Sequence, residues 1–167
     1  AVSAAFSLPV VGHAQTAPAA APASPHTLTA NIGLYSSYRF RGIDQTFGKP
    51  ALQGGIDYSH SSGFYLGNWN SNVSSGAGFP DGNLEMDFYG GYKTILNDIG
   101  FDIGVIYYAY PGSDSAVGKV GAVTNYKDGR AHLGSVSNTE LYFGASWQFF
   151  SFKYYYAVSD YFSTPGT

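Results

Sequence analysis

The sequence predicts an all-β fold, an antiparallel up-and-down β-barrel that spans a membrane, and three observations support this. Seven stretches alternate apolar and polar residues, the connections between them alternate short and long, and only 11% of residues are charged. A period of two indicates a β-strand, because successive side chains point to opposite sides of a sheet. Sorted connections are typical of outer-membrane barrels, which have short periplasmic turns and long external loops.

The composition fits a barrel whose two faces differ in polarity. Ordinary soluble domains contain about 25% charged residues, compared with 11% here. Aromatic residues reach 17%, and the mean hydropathy is −0.09. No stretch approaches the roughly 20 apolar residues of a transmembrane helix. A soluble, aromatic-rich β-sandwich is the alternative that composition leaves open.

Several functional classes are disfavoured by what the sequence lacks. The chain has no cysteine and a net charge of −3. It therefore has no disulfide or thiolate metal site and no basic field for nucleic acid. The four histidines lack metal-ligand spacing, and no Ser/His constellation promises catalysis. We expect neither an enzyme nor a bound metal or cofactor.

The N-terminal part of the chain predicts export. Residues 1–14 resemble a partial signal peptide, with an apolar stretch followed by Gly12-His13-Ala14, which places small residues ahead of Gln15. Residues 15–26 form an Ala/Pro-rich linker that we expect to be extended. Residues 27–167 are then the N-terminal part of the barrel. Seven is an odd strand number, whereas bacterial single-chain barrels have even numbers, so we expect further strands.

Each predicted strand separates apolar from polar residues at alternate positions. The strands are predicted over Leu28–Arg41, Ala51–Ser59, Phe64–Asn72, Leu84–Lys93, Ile99–Tyr108, Glu140–Gln148 and Phe152–Ser159. Their apolar sets are, in order, Leu28, Ile32 and Leu34; Leu52, Ile56 and Tyr58; Phe64 and Leu66; Leu84, Met86 and Phe88; Ile99, Phe101 and Ile103; Leu141, Phe143 and Trp147; and Phe152, Tyr154 and Tyr156. The third strand is ambiguous, because Tyr65 and Trp69 compete with Phe64 and Leu66 for the apolar face.

The predicted connections divide into two groups. Those after the second, fourth and sixth strands are tight, whereas those after the first, third and fifth are longer and rich in Gly, Ser, Asp and Pro. An N-terminus in the periplasm places all tight turns on the periplasmic side. The longest loop, Tyr110–Ser137, either folds inward and narrows a pore or stays a mobile surface loop.

The polar positions of the strands predict the residues that line the interior of the barrel. These are Asn31, Arg39, Arg41, Gln53, Asp57, Glu85, Asp87, Lys93, Asp102, Glu140, Gln148 and Lys153. Charges enclosed in a barrel must be solvated or paired. In one reading, a water-filled pore solvates them and selects permeants by charge and width. In the other, Arg39, Arg41 and Lys93 pair with Asp57, Glu85 and Asp87 across neighbouring strands and plug a narrow lumen.

One long segment carries a resemblance to a known family. The stretch YSSYRFRGIDQTFGKPALQGGIDYSHSSGFYLGNWNSNV, Tyr35–Val73, and the later EMDFYGGYK are similar to the TorF family of bacterial outer-membrane porins. The resemblance extends roughly over Leu28–Phe162 and is weakest in the long loop. It implies an outer-membrane barrel of about twelve strands, of which this chain would be a fragment. It implies no defined substrate and carries over no catalytic residue.

These observations favour a passive channel for small polar solutes in the outer membrane of a Gram-negative bacterium. Its expected partners are outer-membrane lipid, lipopolysaccharide and the solutes themselves, with no nucleic acid. A non-conducting barrel with a structural, adhesive or surface-binding role is the alternative. A soluble secreted β-domain is the third possibility.

Overall fold

A computed structural model describes residues 24–74, 83–114, 135–158 and 161–162. These residues form nine β-strands. The strands are β1 His26–Tyr35, β2 Arg39–Phe40, β3 Ile43–Asp44, β4 Ala51–His60, β5 Phe64–Asn72, β6 Leu84–Leu96, β7 Ile99–Asp114, β8 Ser135–Trp147 and β9 Phe150–Ala157. None of the described residues belongs to a helix that is long and apolar enough to cross a membrane.

The main sheet is an antiparallel meander. It contains seven strands in the order β1-β4-β5-β6-β7-β8-β9, and β2 pairs only with β3 in a separate hairpin. The predicted all-β fold and antiparallel up-and-down order are therefore confirmed for the described residues. Within the described residues the sheet is open, with β1 and β9 as its two edges.

Three of the predicted boundaries are wrong by five residues or more. The first strand ends at Tyr35 rather than Arg41, and the chain then forms the β2–β3 hairpin around Arg41 and Gly42, which have φ angles of 47° and 85°. Strand β7 continues to Asp114 and β8 begins at Ser135, so the predicted loop over residues 110–137 is too long at both ends. Residues 115–134 and 1–23, and with them the predicted signal peptide and most of the linker, lie outside the described residues.

The connections follow the predicted sorting. Strands β4, β6 and β8 are followed by short turns at residues 61–63, 97–98 and 148–149, whereas residues 36–50, 73–83 and 115–134 make longer connections. The β6–β7 turn has positive φ at both Asn97 and Asp98, 49° and 65°. Two such residues make a type I′ turn, whose twist matches that of a hairpin. Gln148, with φ 50°, lies in the β8–β9 turn.

The two faces of the sheet have opposite chemistry. On the apolar face, Ile32 is 79% exposed and Leu66 is 64% exposed, whereas Glu85 on the polar face is 1% exposed. The ambiguity of the third predicted strand is resolved by register, because Leu66 lies opposite Gly90 and next to Tyr58 on the apolar face. Tyr65 and Trp69 therefore belong to the polar face.

The contacts of the β2–β3 hairpin indicate that the sheet curls around its polar face. In a flat sheet β1 and β8 would be about 24 Å apart, at about 4.8 Å for each strand. The seven residues from Tyr35 to Arg41 span about 20 Å when fully extended, and part of this path is a tight turn, yet Arg41 contacts Glu140 on β8 and Tyr155 on β9. Side chains of strands that are not neighbours also meet on this face, Tyr65 of β5 with Tyr142 of β8 and Asp102 of β7 with Lys153 of β9. The polar face is therefore concave.

Tyrosines on the polar face lie against glycines of the adjacent strands. Tyr65 is directly opposite Gly91, Tyr89 is opposite Gly67, and Tyr142 is opposite Gly104. A Cβ atom at Gly91 would lie 2.7 Å from Tyr65 Oη. The missing side chain thus makes room for the ring across the strand pair. Such pairs of an aromatic residue with a glycine help to fix register in curved sheets.

The close approach at Gly91 predicts a steric penalty. Gly91→Ala should destabilise the protein by about 1–3 kcal/mol, because an added methyl group in a filled site forces neighbours apart. Gly144→Ala is the matched control, since its Cβ would lie 3.4 Å from Asp102 Cβ, an ordinary contact. Thermal unfolding of the full-length protein in detergent, followed by circular dichroism, measures both. Equal midpoints for the two variants would contradict this packing.

Candidate functional site

The β2–β3 hairpin is fixed locally by the Asp44 carboxylate. Asp44 Oδ1 accepts a hydrogen bond from the Thr46 backbone N–H at 3.0 Å, and Oδ2 accepts one from the Gly48 N–H at 2.9 Å. The first of these bonds is the main reason that the pKa of Asp44 is lowered. The Gln45 N–H donates to the Tyr38 carbonyl at 2.7 Å, which closes the base of the hairpin. Asp44 thus stabilises the turn in its ionised form.

Two side chains anchor the hairpin to the polar face of the main sheet. Tyr38 Oη donates to Glu85 Oε1 on β6 at 2.7 Å, and its ring packs edge-on against Trp69, with centroids 5.2 Å apart. Arg41 donates to both Glu140 carboxylate oxygens on β8, each at 2.8 Å. Hydrogen bonding to Glu140 raises the pKa of the Arg41 guanidinium. Such bidentate pairs are among the strongest and most directional side-chain contacts.

A small apolar cluster lies beneath the hairpin. Phe40 packs edge-on against Tyr108 of β7 at a centroid distance of 5.7 Å and against Phe162 at 6.3 Å. Tyr108 is buried together with Val73 and Val136. The hairpin therefore covers the end of the polar face that lies near the longer connections. Gln45 and Thr46, which follow β3, are themselves almost completely buried.

Three carboxylates form what we call the acidic layer: Glu85, Asp87 and Glu140. They lie on β6 and β8 under the hairpin, and their exposures are 1%, 7% and 1%. Asn138 donates to Glu140 Oε1 at 3.0 Å, and Tyr108 Oη donates to Glu140 Oε2 at 3.3 Å. Glu140 is thereby surrounded by donors, while Asp87 Oδ1 has no hydrogen-bond donor among the described residues.

A second polar network lies between the acidic layer and the short turns. We call it the lysine layer, and it consists of Lys93, Asp102 and Lys153. Lys153 Nζ lies 3.2 Å from Asp102 Oδ2 and 4.1 Å from the centroid of the Tyr142 ring. Lys93 Nζ lies 4.5 Å from the centroid of Tyr65, whose hydroxyl donates to Asp102 Oδ1 at 2.5 Å. These residues border a depression of about 610 Å³ on the polar face. In the described residues, no group of three or more His, Asp or Glu side chains is arranged to hold a metal ion.

Most of the predicted interior residues lie on the polar face of the main sheet. These are Asn31, Gln53, Asp57, Glu85, Asp87, Lys93, Asp102, Glu140 and Lys153. Arg41 reaches this face from the hairpin rather than from β1. Arg39 does not, because its side chain is 68% exposed and lies 3.7 Å from Asp44. Gln148 belongs to the β8–β9 turn rather than to a strand, because β8 ends at Trp147.

The alternative in which Arg39, Arg41 and Lys93 pair with Asp57, Glu85 and Asp87 is not found among the ion pairs of the described residues. Arg41 binds Glu140 and Lys153 binds Asp102, while Asp57 accepts from Tyr89 Oη at 2.6 Å. Sequence reasoning also missed the tyrosines that share the polar face. For Tyr89 the signal is present in the sequence, because it falls on the same alternate positions as Glu85, Asp87 and Lys93. For Tyr65 it is not, because β5 contains no charged residue.

The fold and the site together define an all-β protein, a seven-stranded antiparallel meander whose apolar face is exposed and whose polar face contains three buried carboxylates. The chain belongs to the Gcw_chp family, described as bacterial proteins of unknown function, whose family model matches residues 19–166. No functionally curated protein and no solved structure matches the chain.

The ion pair of Arg41 predicts a loss of stability on its removal. Arg41→Met should lower the free energy of unfolding by roughly 1–3 kcal/mol, because Glu140 would stay buried without its cationic partner. The loss should be smaller than for a fully buried pair, because the Arg41 side chain is 37% exposed. Arg39→Met is the matched control and should change it by less than about 0.5 kcal/mol, since that pair is exposed. Denaturant titration measures both, and a loss in Arg41→Met no larger than in Arg39→Met would refute the anchoring role.

The lowered pKa of Asp44 predicts a contribution that depends on pH. The ionised carboxylate is favoured in the folded state, so its contribution is complete above the ordinary value of 3.8 and is lost as the pH falls through the lower folded pKa. Asp44→Asn should therefore reduce the acid-induced fall of the unfolding midpoint. Asp98→Asn, in the β6–β7 turn, controls for the loss of one charge. An unchanged acid limb in Asp44→Asn would show that this carboxylate has no such role.

Proposed function

We propose that the chain forms an outer-membrane β-barrel that admits small polar solutes by passive diffusion. The observation that carries this proposal is the inverted sheet. Large apolar side chains are exposed along one entire face, whereas three carboxylates on the other face, Glu85, Asp87 and Glu140, are buried. Soluble monomers rarely expose contiguous apolar patches larger than a few hundred Å². A lipid environment removes this apolar surface from water.

Aromatic side chains at the end of the sheet with the short turns support the same placement. Phe64, Trp147, Phe149 and Phe150 are all exposed on or beside the apolar face there. Transmembrane barrels carry girdles of aromatic residues where the bilayer meets water. Outer-membrane phospholipid and lipopolysaccharide would be the contacting lipids. The resemblance to TorF family porins, carried by Tyr35–Val73, points to the same membrane.

Closure of the sheet is part of the proposal. Strands β1 and β9 present edges in the described sheet, and unpaired backbone groups are not tolerated in hydrocarbon. In the membrane these edges would pair with one another or with further strands. The curl that brings Arg41 of the hairpin within reach of β8 and β9 supports closure.

Permeation would follow the polar face. Charged groups such as Lys93 and Lys153 remain partly exposed there, and the depression beside them is wide enough for water. The β2–β3 hairpin would form the narrowest part of the path, since it lies over the acidic layer. Width and charge at such a constriction decide which solutes pass.

A second function is favoured by the same hairpin. Its anchors at Glu85 and Glu140, and the burial of Gln45 and Thr46, would also suit a barrel closed by an internal plug. Such a protein would serve a structural, adhesive or surface-binding role. The two functions differ in whether ions cross the intact protein.

Planar bilayers containing the purified full-length protein distinguish these functions. We expect stepwise conductance in the wild type and a larger step in Arg41→Met, because the variant loosens the constriction. Arg39→Met controls for loss of a positive charge outside the constriction. Conductance in Arg41→Met alone would identify the plugged barrel. Absence of conductance in all three proteins would refute the channel, and a protein that stays soluble without detergent would refute the barrel.

A further inference from the structure

The acidic layer has an unbalanced charge. Glu140 is bound by Arg41 at 2.8 Å, but in the described part of the chain no Lys, Arg or His lies within ion-pair distance of Glu85 or Asp87. Glu85 receives hydrogen bonds from the hydroxyls of Tyr38 and Tyr110, which are neutral donors. Two covered carboxylates therefore share one small region without a described counter-charge.

Unused acceptor atoms provide a second, independent observation. Asp87 and Asn138 flank Tyr108 in the register of β6, β7 and β8. Asp87 Oδ1 and Asn138 Oδ1 are buried and receive no hydrogen bond from any described donor, although both residues are more than nine-tenths buried. Buried acceptors are almost always satisfied in folded proteins. A ligand that donates hydrogen bonds and carries positive charge would meet both needs.

Aromatic rings surround the same carboxylates. Trp69 of β5 is directly opposite Asp87, and Tyr108 of β7 is opposite Asp87 on the other side. Aromatic faces attract cations, most strongly organic cations that have shed part of their water. Carboxylates between rings therefore favour ammonium or guanidinium groups over anions.

Arg41 is an example within this protein of a guanidinium bound to the polar face. Its guanidinium donates to both oxygens of Glu140, and its Cζ lies 4.8 Å from the Phe40 ring centroid and 5.5 Å from that of Tyr155. A carboxylate with rings on several sides is thus a working guanidinium site at one end of the acidic layer. Glu85 and Asp87 offer the same combination of groups at the other end.

We propose that Glu85 and Asp87, together with Trp69 and Tyr108, form a binding site for organic cations and make the channel prefer solutes with an ammonium or guanidinium group. This inference rests on the proposed channel function and adds the class of solute. Each cation would take hydrogen-bond acceptors from the carboxylates and a ring face from Trp69 or Tyr108. Anions would be repelled by the uncompensated charge.

Selectivity of the full-length protein in planar bilayers tests the site. We expect the wild type to pass methylammonium and potassium in preference to chloride. Glu85→Gln with Asp87→Asn should lower the cation-to-anion permeability ratio about fivefold, the effect of removing one unit charge about 4 Å away in water. Asp98→Asn removes one charge at the far end of β6 and should leave the ratio unchanged. Asp87→Asn alone provides the measurement if the double variant does not fold.

Fluorescence of Trp69 gives a readout that does not depend on conduction. Trp147→Phe leaves Trp69 as the single tryptophan, because the chain contains two. Millimolar methylammonium should change its emission, and Asp87→Asn should abolish the change. A protein that binds methylammonium in this way but never conducts would refute the channel and support the site. A conducting protein with equal selectivity in wild type and Asp87→Asn, and with no fluorescence response, would overturn the site.

Discussion

The ion pair between Arg41 and Glu140 is the contact on which the arrangement of the polar face depends. The β2–β3 hairpin has too few residues to be stable alone, since isolated two-stranded hairpins are marginal in water. The hairpin is held over the sheet because the Arg41 guanidinium binds the Glu140 carboxylate of β8, which is buried from solvent. The contact of Phe40 with Tyr108 and the bond from Tyr38 to Glu85 both require this position. Coverage of the acidic layer thus depends on long-range contacts, of which the Arg41–Glu140 pair is the most directional.

The strands and their order could be predicted from the sequence because their signal is local. Alternation of apolar and polar residues sets the two faces, and turn chemistry such as Asn97-Asp98 sets the tight connections. The hairpin could not be predicted in the same way. Tyr38, Arg39, Phe40 and Arg41 continue the alternation of β1, so nothing local separates a longer strand from a hairpin that leaves the sheet. The deciding partner, Glu140, lies 99 residues further along the chain.

The charged residues of the site were predictable as a set, but their partners were not. Alternation places Asp102 and Lys153 on one face, whereas their contact depends on the register of β7, β8 and β9 together. The two faces of the third predicted strand, β5, could not be assigned from the sequence because polar residues lie on its apolar side. Asn68 and Asn70 occupy its apolar side, where Asn70 Nδ2 donates to Asn68 Oδ1 and Asn68 Nδ2 donates to the Asp87 carbonyl. The N–H donors of both amides are thereby paired, so polar residues stand where apolar ones are expected.

The tyrosines that lie on glycines favour a single register in the β5–β6 and β7–β8 strand pairs. Shifting β5 by one residue against β6 would turn Tyr65 and its neighbours to the opposite face. Shifting it by two residues would set Tyr65 opposite Tyr89 in one direction, and Gly67 opposite Gly91 in the other. The first misalignment crowds two rings together and the second leaves an unfilled gap. In a chain that assembles strand by strand, a misplaced strand is therefore disfavoured while its hydrogen bonds are still forming. This selection does not require a distant contact such as that of the hairpin.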